Sequence, residues 1–234
     1  MSYLTPKKLT LIALLASVYA VGSFLPGFPM IGVSSSKIDI IRAIEMSYGF
    51  ILGPILGPIT AFLGAIVGKV LTGSSFGMYF TPLAFISSFV AACFIKKQVF
   101  GVAGWIPAAC VSGLLLVGFY ISSLGMAIPA YPIFHILGLG IILILREKLN
   151  EYLQSTDRKK LAIGVALSSY SATMAGHMLG NLIYTGLVGG DPLFYMSILP
   201  VTIAERLFIT AISTVLGVPL ILVIRSTYPE LITN

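Results

Sequence analysis

The feature that most limits this chain is how little charge it carries: 22 ionised side chains in 234 residues, strung between long apolar runs. A soluble domain holds about 25% charged residues. This chain holds 9%, with 57% hydrophobic residues and a mean hydropathy of +1.01. So few charges cannot cover a water-facing surface, which excludes a soluble enzyme, a nucleic-acid reader and a disordered chain. The formal net charge of +6 then reads as the Lys and Arg excess of cytoplasmic loops, not as the mark of an anionic partner. Cys93 and Cys110 sit in or beside apolar runs, so neither a disulfide framework nor a zinc site is indicated.

A bilayer-spanning helix takes about 20 mainly apolar residues. Runs bounded by charge, proline or glycine fall at residues 9–25, 38–53, 55–71, 78–95, 102–124, 131–145, 161–187 and 193–224. They predict an all-α polytopic protein of the plasma membrane, with about eight transmembrane helices in one membrane domain over 1–234. With the N-terminus cytoplasmic, Lys7, Lys8, Lys96, Lys97, Arg146, Lys148, Arg158, Lys159, Lys160 and Arg225 all fall inside, ten of the fourteen basic residues. The C-terminus is then cytoplasmic too. The second and third runs are short and meet at Gly53-Pro54, where a broken hairpin or one partly unwound element is expected. The last run is long enough to hold a kink or a re-entrant start at Leu199-Pro200. Reading the first run as a cleaved signal peptide would invert the start of this topology without improving the rest. No Gly-x-x-x-x-Gly-Lys-Ser/Thr occurs, so ATP-driven activity would require separate subunits.

An ionisable group inside a bilayer is costly unless paired or hydrated, and so marks a functional candidate. Lys37 and Asp39 stand where the first outer loop enters the second helix, and Arg42 and Glu45 follow on one face at i,i+3. Lys69 lies near the outer end of the third helix, and Glu205 and Arg206 near mid-depth of the eighth. None falls in the inner third, a bias that an outward-open polar cavity would explain. Adjacent residues point about 100° apart on a helix, so at least one of Glu205 and Arg206 is expected to seek a partner on another helix; Lys69 or Arg42 could serve the acid and Glu45 the base. Each of these groups either pairs structurally or contacts a ligand. His177, Asn181 and Tyr184 form one stripe at i, i+4 and i+7 of the seventh helix, suited to a ligand or to interhelical contact. His135 stands alone and reads as a packing residue; two histidines without nearby Cys or Asp make no metal site. Tyr79, Phe80, Tyr131, Tyr184 and Tyr195 either stack on a ring or belong to the interfacial aromatic belt. Ala13, Ala16 and Ala20 give the first helix a small-residue face, and Gly53, Gly57, Gly64 and Gly68 do the same for the second and third; internal packing alone would account for both.

Several segments in order resemble the substrate-binding S component of an energy-coupling factor (ECF) transporter. The first helix, with Ala16-x-x-x-Ala20, is similar to that family's alanine-rich start. Ile38-Asp39-Ile40-Ile41-Arg42 and Tyr48-Gly49-Phe50-Ile51-Leu52-Gly53-Pro54 resemble its second helix, and residues 57–69 its third. Pro82-Leu83-Ala84 resembles the start of the fourth, and the stretches 178–184 and 199–205 the last two. The likeness covers about 5–98 and 160–226, a six-helix core. The region 102–148 departs from it as an inserted helical hairpin. An even insertion leaves both flanking topologies intact.

The resemblance implies a subunit that binds a vitamin or related micronutrient from outside. It would dock on a membrane-embedded coupling (T) subunit driven by two cytoplasmic ATPases, and use no cofactor. Ala13, Ala16 and Ala20 would dock on that partner, and the loop over residues 27–37 would act as a lid. The substrate would be met by Lys37, Asp39, Arg42, Glu45, Lys69, His177, Asn181, Tyr184, Glu205 and Arg206. Thiamine, riboflavin, biotin, a pyridine vitamin and a deazapurine precursor all fit. The competing readings are a stand-alone secondary transporter or channel for a small polar solute, an intramembrane enzyme, and an assembly subunit. A secondary transporter would carry an inverted repeat and charged midplane breaks, of which Gly53-Pro54 and Leu199-Pro200 are candidates. No His-Glu-x-x-His, Gly-x-Ser-x-Gly or paired aspartates appear, so no enzymatic activity is expected.

Overall fold

A computed structural model describes residues 5–32 and 37–227, an all-α chain with two very short β-ribbons. Helix α1, Pro6–Gly22, starts cleanly because Thr5 accepts from the Lys8 backbone N–H and Pro6 has no N–H to satisfy. The chain then forms β1, Gly27–Pro29, which pairs antiparallel with β2, Lys37–Asp39. Between the two strands, residues 33–36 of the expected lid lie outside the described residues. A 3-10 turn, Ile40–Ile44, leads into α2, Glu45–Leu71.

Helix α2 does not run straight. Gly53 has φ 77° and ψ −172°, a left-sided backbone that only glycine adopts freely, and Pro54 starts a new arm after it. A straight helix would hold residues 49 and 57 about 12 Å apart. Instead, a Cβ added at Gly57 would lie 2.7 Å from the Gly49 Cα and 2.6 Å from the Tyr48 carbonyl oxygen. At the other end of the arms, Lys69 Nζ meets Asp39 Oδ2 at 2.6 Å. The stretch Ile40–Leu71 is therefore an antiparallel hairpin with its tip at Gly53-Pro54, and its arms are the expected second and third helices.

Short α3, Ser75–Met78, precedes α4, Pro82–Ala92, which packs along the hairpin. The ribbon of β3, Gln98–Val99, and β4, Val102–Ala103, then turns the chain into α5, Trp105–Tyr120. Short α6, Ser123–Ala127, and α7, Ile133–Leu145, follow; α5 and α7 pair with each other and with α9, Arg158–Val188. Helix α9 is central, packing also on α4 and on α10, Pro192–Thr227. Its buried stretch is rich in small polar residues that bond to neighbours: Ser169 to Ser213 at 2.9 Å and Ser171 to the Gly138 carbonyl at 3.0 Å.

The polar stretch between the sixth and seventh apolar runs holds a further helix, α8, Glu147–Gln154, that buries Leu149 and Leu153. Asn150 and Gln154 on it donate to the Phe94 and Ile95 carbonyls at 2.9 and 2.6 Å, satisfying groups past the end of α4. The proposed break at Leu199-Pro200 is absent, since α10 continues through Pro200 and Pro219. Among the described residues, three helical stretches are long and apolar enough to cross a bilayer, 40–71, 75–92 and 192–227, and the first of these is the folded hairpin.

Candidate functional site

The two ends of the molecule differ in chemistry. At one end lie Lys96, Lys97 and α8; at the other, the mouth of the α2 hairpin meets the end of α9 and the start of α10. A cavity of about 120 Å³ occupies this second end. Pro29, Met30 and Ile31 of the first loop line it, and Gly32 approaches the Tyr184 hydroxyl so closely that an added Cβ would lie 2.5 Å from it.

Nine of the ten candidate residues line this cavity: Lys37, Asp39, Arg42, Lys69, His177, Asn181, Tyr184, Glu205 and Arg206. Glu45 stands behind the wall. It accepts from Arg42 Nε at 3.1 Å and from the Tyr19 hydroxyl at 2.7 Å, so it fixes Arg42 in place. Asp39 is held by Lys69 at 2.6 Å, with Lys37 at 3.9 Å; Lys37 also donates to the Leu25 carbonyl. The Arg42–Glu45 and Lys69–Asp39 pairs are buried enough that geometry, not surface screening, sets their worth, whereas the Lys37 side chain is 36% exposed.

The α10 side is arranged differently. Arg206 Nη2 reaches Glu205 Oε2 at 3.4 Å, so the two adjacent residues do touch, through the length of the arginine. The expected partners Lys69, Arg42 and Glu45 are taken by the hairpin pairs. Arg206 Nε and Nη1 and Asn181 Nδ2 are buried without an acceptor among the described residues. Helix α9 supplies the third side. His177 Nδ1 faces His135 Nε2 at 2.9 Å, so His135 packs against the site and is not isolated. The Tyr131 hydroxyl comes within 3.5 Å of Asn181 Oδ1. Tyr195 bonds to Thr185 at 2.8 Å and reaches the Asn181 carbonyl at 3.4 Å. Tyr184 and Phe194 stack nearly parallel, with centroids 6.2 Å apart. Of the aromatics singled out, Phe80, Tyr184 and Tyr195 line the cavity, whereas Tyr79 is exposed.

Sequence reasoning missed Tyr19, Thr81, Phe194 and Thr202, all of which line the cavity. Thr202 carried a signal, because it precedes Glu205 and Arg206 by three and four positions and so shares their face. Tyr19 was hidden in the alanine-rich helix. The three alanines of the docking stripe differ in their surroundings. Ala13 is exposed, Ala16 half-buried and Ala20 buried. A Cβ at Gly64 would lie 3.0 Å from the Ala16 carbonyl oxygen, and one at Gly68 3.4 Å from the Ala20 Cα. Ala16 and Ala20 thus seat α1 on the second arm of the hairpin instead of facing outward. Among the described residues no three His, Cys, Asp or Glu side chains converge on a point that could hold a metal ion.

This arrangement offers fixed donors and acceptors in a mostly apolar cleft, which suits non-covalent capture of a small solute. Compared with known proteins, the chain is 31% identical over 211 residues to an uncharacterized protein of Methanocaldococcus jannaschii, a match covering 88% of this chain and 68% of that protein. No family model matches, and no solved structure does.

Proposed function

The chain belongs to the family of this archaeal protein, and from the cavity at its Asp39 end we propose that it is a solute-binding membrane subunit of the ECF type. On this reading eight helical segments cross the plasma membrane, six in a core and two in the insert, with both termini cytoplasmic. The Lys96 end faces the cytoplasm and the cavity opens outward. The long apolar stretches support the membrane location. A vitamin or related micronutrient enters the cavity, and a coupling subunit with two cytoplasmic ATPases energises its release inside. Because Ala16 and Ala20 are occupied by the hairpin, the coupling subunit meets α1 on its open flank, around Ala13 and Ser17. The chain itself performs no covalent chemistry.

One observation carries this reading. In a chain that is 9% charged, nine polar residues from five elements converge on one cavity. Buried ionisable groups at membrane depth collect where a ligand is handled. The test is uptake of radiolabelled vitamins by cells expressing the chain with or without a coupling subunit and its ATPases. Uptake that needs all three components is the expected result. Uptake by the chain alone would favour a stand-alone transporter, and failure of every vitamin to bind at micromolar concentration would remove the reading.

A further inference from the structure

The charges around the cavity are unequally matched. Arg42 is engaged by Glu45, Lys69 by Asp39, and Lys37 by Asp39 and the Leu25 carbonyl. Asp39 Oδ1 makes no hydrogen bond among the described residues, although Lys37 Nζ lies 3.9 Å from it. Among the cations Arg206 is the exception. It is 1% exposed, its contact with Glu205 is 3.4 Å long, and its Nε and Nη1 meet no acceptor among the described residues. A guanidinium carries five N–H donors, and burying it without acceptors is costly. Asn181, 7% exposed and on the same cavity, presents its Nδ2 donors equally unmatched. Two buried side chains, on α9 and α10, therefore keep donor atoms without an acceptor among the described residues, on a single cavity.

The sum of charge points the same way. Lys37, Arg42, Lys69 and Arg206 line the cavity against Asp39 and Glu205, with Glu45 behind the wall. Four cations oppose three carboxylates, an excess of one. The rest of the lining is largely apolar, including Leu83, Ile198, Val201 and the stacked Tyr184–Phe194 pair. Such walls suit a compact apolar or aromatic body, not a sugar or a polyphosphate.

We propose that the cavity takes a monoanionic organic carboxylate, its acid group received by Arg206 and Asn181 and its body held between the apolar walls. Charge-assisted bonds to a buried guanidinium supply the affinity, and Glu205, beside Arg206, disfavours a second negative charge. This rests on the reading of the cavity as a solute site and narrows the class of solute.

The test uses the full chain in lipid nanodiscs, with calorimetric titration of four probes: benzoate, its neutral amide benzamide, cationic benzylamine, and inorganic phosphate. Benzoate is expected to bind at least about tenfold more tightly than the other three. Arg206→Gln and Asn181→Leu should each weaken benzoate by about tenfold or more, while Lys97→Gln at the opposite end leaves it unchanged. Should Arg206→Gln fail to give a cooperative unfolding transition, Arg206→Lys serves instead. It keeps the charge, loses the planar fork, and should still weaken benzoate several-fold. Benzamide, benzylamine or phosphate binding as well as benzoate would overturn the carboxylate assignment while leaving the solute site standing. So would an unchanged benzoate affinity in the Arg206 and Asn181 variants. No binding of any probe at millimolar concentration would overturn both.

Discussion

On the hairpin side of the cavity, Arg42 and Lys69 are each held by a carboxylate, at 3.1 and 2.6 Å; on the α10 side, Arg206 has, among the described residues, only its neighbour Glu205, at 3.4 Å. Both walls are buried and both carry charge of each sign. The difference lies in how the backbone presents them. The hairpin brings Asp39 and Lys69 together from positions 30 apart, and an i,i+3 step brings Arg42 over Glu45. On α10 the two charges are consecutive and diverge around the helix, so full mutual satisfaction is geometrically out of reach. One wall is a nearly closed structural joint, in which each cation has a carboxylate and Asp39 Oδ1 alone lacks a hydrogen bond among the described residues. The other keeps donor capacity in hand, which is what a binding surface requires.

The comparison can be broken in order of expected effect. Ala20→Trp should be the most severe, because Ala20 is buried against Gly68 and a large ring would drive α1 off the hairpin. Both folded yield and solute binding should fall, as read by size-exclusion profile and titration. Retained binding with lost uptake would return Ala20 to the docking face. Glu45→Ala should follow, at about 3–5 kcal/mol, since it strands Arg42 and Tyr19 together in the interior. Glu205→Gln, by contrast, should cost under ~2 kcal/mol, because the contact it weakens is long. Denaturant unfolding in detergent compares the two directly, and equal losses would show that the two walls are held alike.

Asn150→Ala sharpens the contrast from outside the cavity. It removes the 2.9 Å bond to the Phe94 carbonyl at the Lys96 end, so stability should drop by about 1–3 kcal/mol with solute affinity unchanged. An affinity change there would mean that the two ends are coupled. Tyr131→Phe should have the smallest effect, about 0.5 kcal/mol on unfolding. Its 3.5 Å reach to Asn181 is weak, but loss of the hydroxyl frees Asn181 to turn, so solute affinity should shift more than stability does.

The site was largely legible in the sequence because charge is so rare in it. Against apolar helices, residues such as Arg42, Lys69 and Arg206 stand out singly, and their common bias to one side of the topology foretold a shared cavity. Their partners were not legible. Whether Lys69 takes Asp39 or Glu205 depends on which helices touch, and nothing local at Lys69 encodes that. The small-residue stripe was ambiguous for a related reason: Ala16-x-x-x-Ala20 fits an internal helix and an external one equally well, and its contacts with Gly64 and Gly68 come from another helix. The hairpin at Gly53-Pro54 was foreseeable, since glycine and proline adjoin where two short runs meet. Pro200 resembled it locally but lacks a preceding glycine, and α10 carries on through it.

The most direct test of whether the cavity beside Arg206 holds a solute is native mass spectrometry of the purified full chain, alongside Arg206→Gln prepared in the same way. The expected spectrum of the unaltered protein contains a second species heavier by one small organic molecule, absent from the variant. A spectrum of bare protein alone, or an adduct equally abundant in both preparations, would contradict a solute site at Arg206.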